Sequence, residues 1–308
     1  MSDFFNPDLE RPQLLDMEDA SFPDEDTLEP IYNLIVTVKA PNTVGALLSI
    51  QHRLRPESSI LFLQNGMGIV DQVNDKVFPD PETRPNYMIG IISHGVNSHA
   101  QGLFAATHAG QGTISMGILP RQNTNADTTP TTPVSSRYIL RTVCRSPVLA
   151  AVGATPTEVL QAQLEKLAIN AIINPLTAIA DARNGAILHN MHFKRAIRLL
   201  LAEISLVILA MPELKSLPNL GTRFSTARLE DMVVAVAFRT ANNISSMLAD
   251  IQHGKQSEID YMNGYIVKRG EELGITCFMN FMITQLIKGK QQVVDHEKNE
   301  ELPLARPK

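Results

Sequence analysis

Hydrophobic and polar positions fall into two textures along this chain. Before about residue 150 they form short, continuous, largely β-branched runs: Leu34-Ile35-Val36-Thr37-Val38, Ile60-Leu61-Phe62-Leu63 and Met88-Ile89-Gly90-Ile91-Ile92. Runs of this length without strict alternation predict parallel strands covered on both faces. Asn42 to Leu54 carries Val44, Leu47, Leu48 and Leu54 at mixed helical spacings and closes before Pro56, which predicts a crossover helix. A Pro-rich connection leads to the third run. Strands alternating with helices predict a right-handed parallel α/β sheet, half of a doubly wound domain. Leu103 to Thr107 and Thr113 to Met116, separated by Gly110 and Gly112, read as a shorter pair of strands turning back on itself. Asn123 to Ser136, rich in Thr, Pro, Asn and Ser, reads as a surface loop.

Beyond about Ala150 the texture becomes helical, which marks a domain boundary. The spacings predict helices over Pro156 to Ile173, Phe193 to Leu209, Thr226 to Ile251 and Ser257 to Leu273, the last closed by Gly274. Pro175 is expected to end the first near Asn174, and from Lys288 onward the chain turns polar and is expected to fray. The whole divides into an acidic lead-in over 1–30, a partial Rossmann-like cofactor domain over 31–150, a helical substrate and catalytic domain over 151–290 and a polar tail over 291–308. Pro7, Pro12, Pro23 and Pro30 interrupt the lead-in, which is expected to be disordered.

Composition narrows the function classes. Hydrophobic residues make up 44% and charged residues 19%, ordinary for a chain able to bury a large core. A net charge of −5 argues against nucleic acid or anionic lipid as partner, since phosphate binding needs clustered Lys and Arg. Cys144 and Cys277 are isolated, without metal-ligand or disulfide spacing, which suits a reducing compartment and no metal. The most apolar helical stretch, Leu199 to Met211, contains Glu203 and is too short for the ~20 residues of a membrane span. The first residues lack a basic region followed by an apolar one, so the cytosol is expected.

Candidate chemistry collects at strand ends and on one helix. The three strands are followed by Lys39, by Asn65-Gly66-Met67-Gly68 and by Ser93-His94-Gly95. Ligands of open α/β sheets bind beyond the carboxyl ends of strands, so these clusters are expected to share a crevice, although each is also ordinary turn chemistry. Lys166, Asn170 and Asn174 are spaced four apart and form a polar stripe on an otherwise apolar helix, either solvated or functional. Asn184-Gly185 follows in a turn, and Asn242 to Leu248 reads as the continuation of a helix studded with amide and hydroxyl donors. Glu258 suits a helix start, where the dipole favours a carboxylate, or a partnership with Lys166 that would tune the ammonium for general-acid duty.

These segments resemble the ketopantoate (2-dehydropantoate) reductases, with close matches in Lys-Leu-Ala-Ile-Asn-Ala-Ile-Ile-Asn-Pro-Leu-Thr-Ala-Ile from Lys166, Asn-Ile-Ser-Ser-Met-Leu-Ala-Asp-Ile from Asn243 and Glu-Ile-Asp-Tyr-Met-Asn-Gly from Glu258. The match runs from about Asn33 to Gly274 and includes Asn65-Gly66-Met67-Gly68. The resemblance implies a Rossmann-type α/β N-terminal domain, incomplete in this chain, followed by an all-α C-terminal domain. It implies NADPH-dependent reduction of a 2-keto acid to a 2-hydroxy acid on the route to pantothenate and coenzyme A, and it leaves a homodimer open. Lys166 would be the proton donor, assisted by Glu258. Asn170, Asn174, Asn184 and Ser246 would join Lys166 in holding the substrate, and Lys39, Asn65, Val96 and Glu258 would contact the cofactor.

The family begins with a strand and a GxGxxG-type turn that receives the pyrophosphate, and no such motif precedes Asn33. An upstream coding segment, a catalytically inactive relative kept for binding or regulation, and a reductase of another 2-keto acid are the readings this leaves. The chain as given is expected to present Leu34 to Val38 as an uncovered apolar edge, prone to aggregation, and to bind NADPH negligibly.

Overall fold

In the computed structural model, which describes residues 29–98, 106–121 and 132–299, β-branched runs and helical stripes sort into a sheet followed by a helical array. The strands are β1 (Ile31–Val36), β2 (Leu54–Phe62), β3 (Asn86–Ile92), β4 (Gly95–Ser98), β5 (Ala106–Gly110), β6 (Ile114–Ile118) and β7 (Ala151–Gly153). The helices are α1 (Thr43–Ile50), α2 (Ile69–Lys76), α3 (Val134–Cys144), α4 (Pro156–Ala180), α5 (Met191–Ala210), α6 (Leu220–Arg223), α7 (Thr226–Arg239), α8 (Ser246–Gln252), α9 (Asn263–Glu272) and α10 (Phe278–Asn299). The described residues from Ile31 onward form one compact unit, and none of their helices is long and apolar enough to cross a membrane.

The main sheet has the order β1-β2-β3-β6-β7. β1, β2 and β3 are parallel as expected, but β6 runs antiparallel to β3, so the sheet is mixed. Period-two alternation divides its two faces. Ile60, Phe62, Tyr87 and Ile89 pack with Leu47 of α1 and Val73 of α2, whereas Leu61, Met88 and Met116 pack with Ile139 and Val143 of α3. β1 is an edge strand among the described residues, and Tyr32 and Ile35 on it are exposed.

Several expected boundaries move, each for a local reason. The first strand ends at Val36, and Thr37-Val38 lead out of the sheet. α1 stops at Ile50, and β2 begins at Leu54 and passes through Pro56. The proline is tolerated because the β1–β2 register is irregular between Ile31 and Asn33. The two strands expected to turn back on each other do not pair: β5 pairs with β4, and β6 joins the main sheet beside β3. Residues 103–105 of the first lie outside the described residues, as do 123–131 of the predicted loop, whose end at Val134–Ser136 is the first turn of α3.

α4 does not end at Pro175 but runs on to Ala180. A proline at that position cannot donate to the carbonyl of Ala171, one of the main reasons prolines break helices. Here Asn263 Nδ2 donates to Ala171 O at 2.9 Å and to Asn280 Oδ1 at 3.0 Å, both buried. Asn280 in turn binds Glu203, whose carboxylate also accepts the Met279 and Asn280 backbone N–H groups. The proline's cost is thus met by a side chain from α9. Replacing Asn263 by Ala is expected to destabilise the fold by about 2–4 kcal/mol, because Ala171 O is left buried and unpaired. The pair Asn263→Ala/Pro175→Ala should recover about half of that, since alanine supplies the missing N–H. Urea unfolding of the two single variants and the double measures this, and strictly additive effects would refute the link.

The predicted helix over Thr226 to Ile251 is broken. α7 ends at Arg239, and Thr240 to Ser245 form a turn in which Asn243 and Ala241 carbonyls accept the Asn184 and Gly185 N–H groups. Ser245 then caps α8, its Oγ accepting from Leu248 N–H. The helix expected from Ser257 begins at Asn263 after a single 3₁₀ turn over Ile259–Tyr261. Its end is as expected: Gly274, at φ +72°, donates to Glu271 O while Ile275 donates to Gly270 O. The polar tail does not fray at Lys288. α10 continues to Asn299 because Ile287 is fully buried, Val294 packs on the helical core and Gln291 bonds both Ser257 N–H and Lys255 O.

Candidate active site

The carboxyl ends of the three parallel strands meet the helical array at one cluster. Thr155 caps α4 with Glu158 in a reciprocal capping box, and Pro156 occupies the first helical position. That start aims α4 along the sheet, where it packs on β3 and β6 as well as on α7 and α8. Lys166 Nζ donates to the carbonyl of Ile92, the last residue of β3, at 2.6 Å. Burial pulls its pKa from 10.5 down to about 8, and the negative charge of Glu258 partly offsets that pull.

Glu258 is 7% exposed. Its Oε1 accepts the backbone N–H of Ala40 at 3.0 Å, just beyond β1, and Asn65, beyond β2, also hydrogen-bonds it. Burial raises its pKa, opposed by the Ala40 N–H and the Lys39 charge. Lys39 forms an ion pair with Asp250 of α8. Lys39, Asn65, Lys166 and Glu258 are thereby brought together, and Lys166 and Glu258 interact through space without a direct ion pair.

The other amides line the same helical array. Asn174 is buried on α4, and the only hydrogen bond of its side chain among the described residues is a 3.5 Å contact from Nδ2 to the weak acceptor Met262 Sδ. Asn170, one turn earlier, is half-buried with no side-chain hydrogen bond among the described residues. Asn184 sits in a 3₁₀ turn packed on α4 and α7. Its Nδ2 donates to Thr240 Oγ1 at 2.9 Å, and its buried Oδ1 has no partner. Ser246 is exposed in the first turn of α8, beside the cap Ser245, whose Oγ accepts from Thr177 of α4. Amides left unpaired at low exposure cost roughly 1–3 kcal/mol each unless something binds them, so this stripe is poised for a polar ligand. Val96 is not drawn into the cluster: it lies on the β4–β5 ribbon, 60% exposed, opposite His108. The neighbouring His94 is occupied with His108, Leu149 O and Gly112 N–H.

Sequence reasoning missed Asp250, the Ala40 N–H and the Ile92 carbonyl. Two are backbone groups with no signature in residue type. Asp250 lay within a matched segment, but an acid near a helix end carries no signal of a partner 211 residues away. Chemically, the cluster offers an ammonium poised near neutral pH, a buried carboxylate and a bank of neutral amide donors at the mouth of a parallel sheet. That set suits protonation of a carbonyl oxygen and directional binding of carboxylate and hydroxyl groups.

Comparison with known proteins gives the same placement. Two family models match, one described as ketopantoate reductase PanE/ApbA over residues 10–121 and one as the C-terminal part of the same family over residues 158–291. The first extends the likeness upstream of Asn33. A probable 2-dehydropantoate 2-reductase of Schizosaccharomyces pombe is 32% identical over 91% of this chain and 79% of its own. The 2-dehydropantoate 2-reductase of Vibrio cholerae is 31% identical over 87% of this chain and 80% of its own. The crystal structure of a probable 2-dehydropantoate 2-reductase from Bacillus subtilis superposes with a TM-score of 0.63 at 25% identity, covering 85% of this chain and 78% of that one. With two family models and relatives matched over about four fifths of their own length in agreement, this chain belongs to the ketopantoate reductase family.

Proposed function

We propose that the protein reduces 2-dehydropantoate (ketopantoate) to pantoate with NADPH as the hydride donor, on the route to pantothenate and coenzyme A. The observation that carries the reading is the convergence of Lys166 with the ends of three parallel strands, where the backbone carbonyl of Ile92 holds its ammonium at 2.6 Å. The residues present fit a nicotinamide cofactor at that mouth: Lys39, Asn65 and Glu258 stand at or against the strand ends and would contact it, whereas Val96 lies on the β4–β5 ribbon outside the cluster. When bound, the cofactor supplies the hydride for the keto carbon. The Lys166 ammonium hydrogen-bonds the ketone oxygen, stabilises the negative charge that develops there as hydride arrives, and gives up its proton to it to leave a hydroxyl and a neutral amine. The charge of Glu258 favours the protonated ammonium, and the Ile92 carbonyl orients it. Asn170, Asn174, Asn184 and Ser246 hold the carboxylate and hydroxyl of the substrate through neutral donors.

The test is oxidation of NADPH and of NADH, with a panel of 2-keto acids, by a version of the protein in which a strand-GxGxxG segment precedes Asn33. Highest kcat/KM on ketopantoate with NADPH is expected, and a maximum on an unrelated keto acid would overturn the substrate. Asn174→Ala and Ser246→Ala are expected to raise KM for the keto acid by about 10-fold, the value of one buried hydrogen bond, with a smaller change in kcat. Unchanged KM in both would remove them from the substrate site.

A further inference from the structure

The outer face of α10 is apolar and open to water. Phe278, Phe281, Met282, Leu286 and Val293 are each between 46% and 73% exposed. At about 100° per residue they fall, with Gln285, Gly289 and Gln292, within an arc of about 140°. No charged residue lies on that arc from Phe278 to Val293. Long lysine stems commonly cover apolar helix surface, but the two lysines that flank this one are held elsewhere. Lys288 pairs with Asp260 at 2.6 Å, and Lys290 donates to the carbonyl of Ala178.

The patch continues onto α5. Glu203 of that helix accepts the Met279 and Asn280 N–H groups at the start of α10, and Leu199 and Leu206, both 54% exposed, stand one turn to either side of it. With a whole aromatic side chain worth roughly 200 Å², these seven residues leave roughly 600 Å² of apolar surface in water. That is the upper end for the largest patch on a monomer, about 300–600 Å². It also matches the apolar share, about two thirds, of the roughly 800 Å² that each partner contributes to a standard homodimer interface.

Two features select a second copy of this chain as the occupant. A two-fold interface sets one patch against itself, so any charge on it meets its own sign; this face carries none, and it offers no charge by which a partner of opposite sign would be chosen. Gly289 lies near the middle of the stripe, and a Cβ there would meet nothing within 4 Å. Nothing within the chain requires glycine at this position, although it costs roughly 1 kcal/mol in a helix interior. A second helix crossing at Gly289 would use the missing side chain for close approach. We propose that two copies of the protein pair through α10, antiparallel about a two-fold axis beside Gly289, with Leu199 and Leu206 of α5 at the rim. No residue of the reductase cluster lies on this stripe.

Sedimentation velocity on the full chain is expected to show a dimer across the micromolar range. Phe278→Glu and Leu286→Glu each set two like charges into the interface, one from each copy, and should weaken association by at least about 100-fold. Both side chains face solvent in the single chain, so its far-UV circular dichroism should not change; at position 278 the start of the helix even favours a carboxylate. Gly289→Cys, in a Cys144→Ser background that removes the exposed native thiol, should form an intermolecular disulfide on mild oxidation. Helices packed about 8–10 Å apart bring facing Cα atoms within the roughly 4.4–6.8 Å that a disulfide spans. Gly221→Cys, equally open on α6, should not cross-link. A chain that stays monomeric would overturn the proposal and leave the face to a different protein. An oligomer that survives both glutamate variants, as association through the β1 edge would, or equal cross-linking at positions 221 and 289, would overturn it as well.

Discussion

Lys166→Ala, in a version of the protein in which a strand-GxGxxG segment precedes Asn33, is expected to lower turnover on the keto acid by about 10²–10⁴-fold, the usual contribution of a positioned general acid, with NADPH affinity little changed. The same assignment fixes the pH profile. An acid of pKa about 8 must be protonated to act, so kcat/KM should be level below that value and fall tenfold per pH unit above it. The stability effect has the opposite sense. The folded pKa lies below the unfolded 10.5, so between about 8 and 10.5 the unfolded chain binds more protons and this group's contribution to stability rises with pH. Below about 8 the burial penalty is fully present. Lys166→Met should therefore leave the melting temperature at pH 7 unchanged or higher while activity is lost. Full turnover in either variant, or a profile flat through pH 9, would remove Lys166 from the chemistry.

Gly66→Ala should be strongly damaging, because it combines a left-handed backbone with a close approach of another segment. Gly66 sits at φ +85°, and an added Cβ would lie 2.6 Å from both the Cβ and the carbonyl oxygen of Tyr261. The left-handed backbone costs about 1–2 kcal/mol for a non-glycine residue. The clash with backbone cannot be relieved by a rotamer change, so a total loss of about 3 kcal/mol or more is expected. It would also strain the bond from Met67 N–H to Tyr261 O, 2.9 Å long, which ties the Asn65 turn to the segment carrying Glu258. Gly68→Ala is the internal control: φ is +89°, but its Cβ would meet only the Tyr265 ring, at 3.3 Å, and about 1–2 kcal/mol is expected. Equal urea midpoints for the two variants would show that the Tyr261 contact is immaterial.

The legible parts of the fold were those set by local pattern: the β-branched cores of β1, β2 and β3, the apolar stripe of α5, and Gly274 as a helix stop. Short, strongly polar α2 escaped notice because only Ile69 and Val73 of its eight residues are buried against the sheet. The failures at Pro175 and at Thr240 to Ser245 have opposite causes. A distant side chain, Asn263, rescues a helix that local rules would end, whereas backbone partners in the Asn184 turn stop a helix that periodicity would continue. The partner of β6 could not be read either, since strand direction depends on connections rather than on residue type. In the site, the structure brings together side chains named by motif where strand ends meet helices, at Lys39, Asn65, Lys166 and Glu258. Val96 was a residue type without polar chemistry, so nothing in its own character could place it.

Lys166, Asn170 and Asn174 occupy one uninterrupted stretch of α4, and the proline lies just beyond them. Their mutual spacing, about 6 Å per four-residue step, is a property of a rigid rod and does not depend on how the helical array leans against the sheet. Opening and closing of the crevice would carry all three as one piece. Any such motion would be read by contacts that bridge the layers, among them Lys166 to Ile92, Lys39 to Asp250, Glu258 to Ala40 and Met67 to Tyr261, while the spacing of the three α4 side chains stays constant.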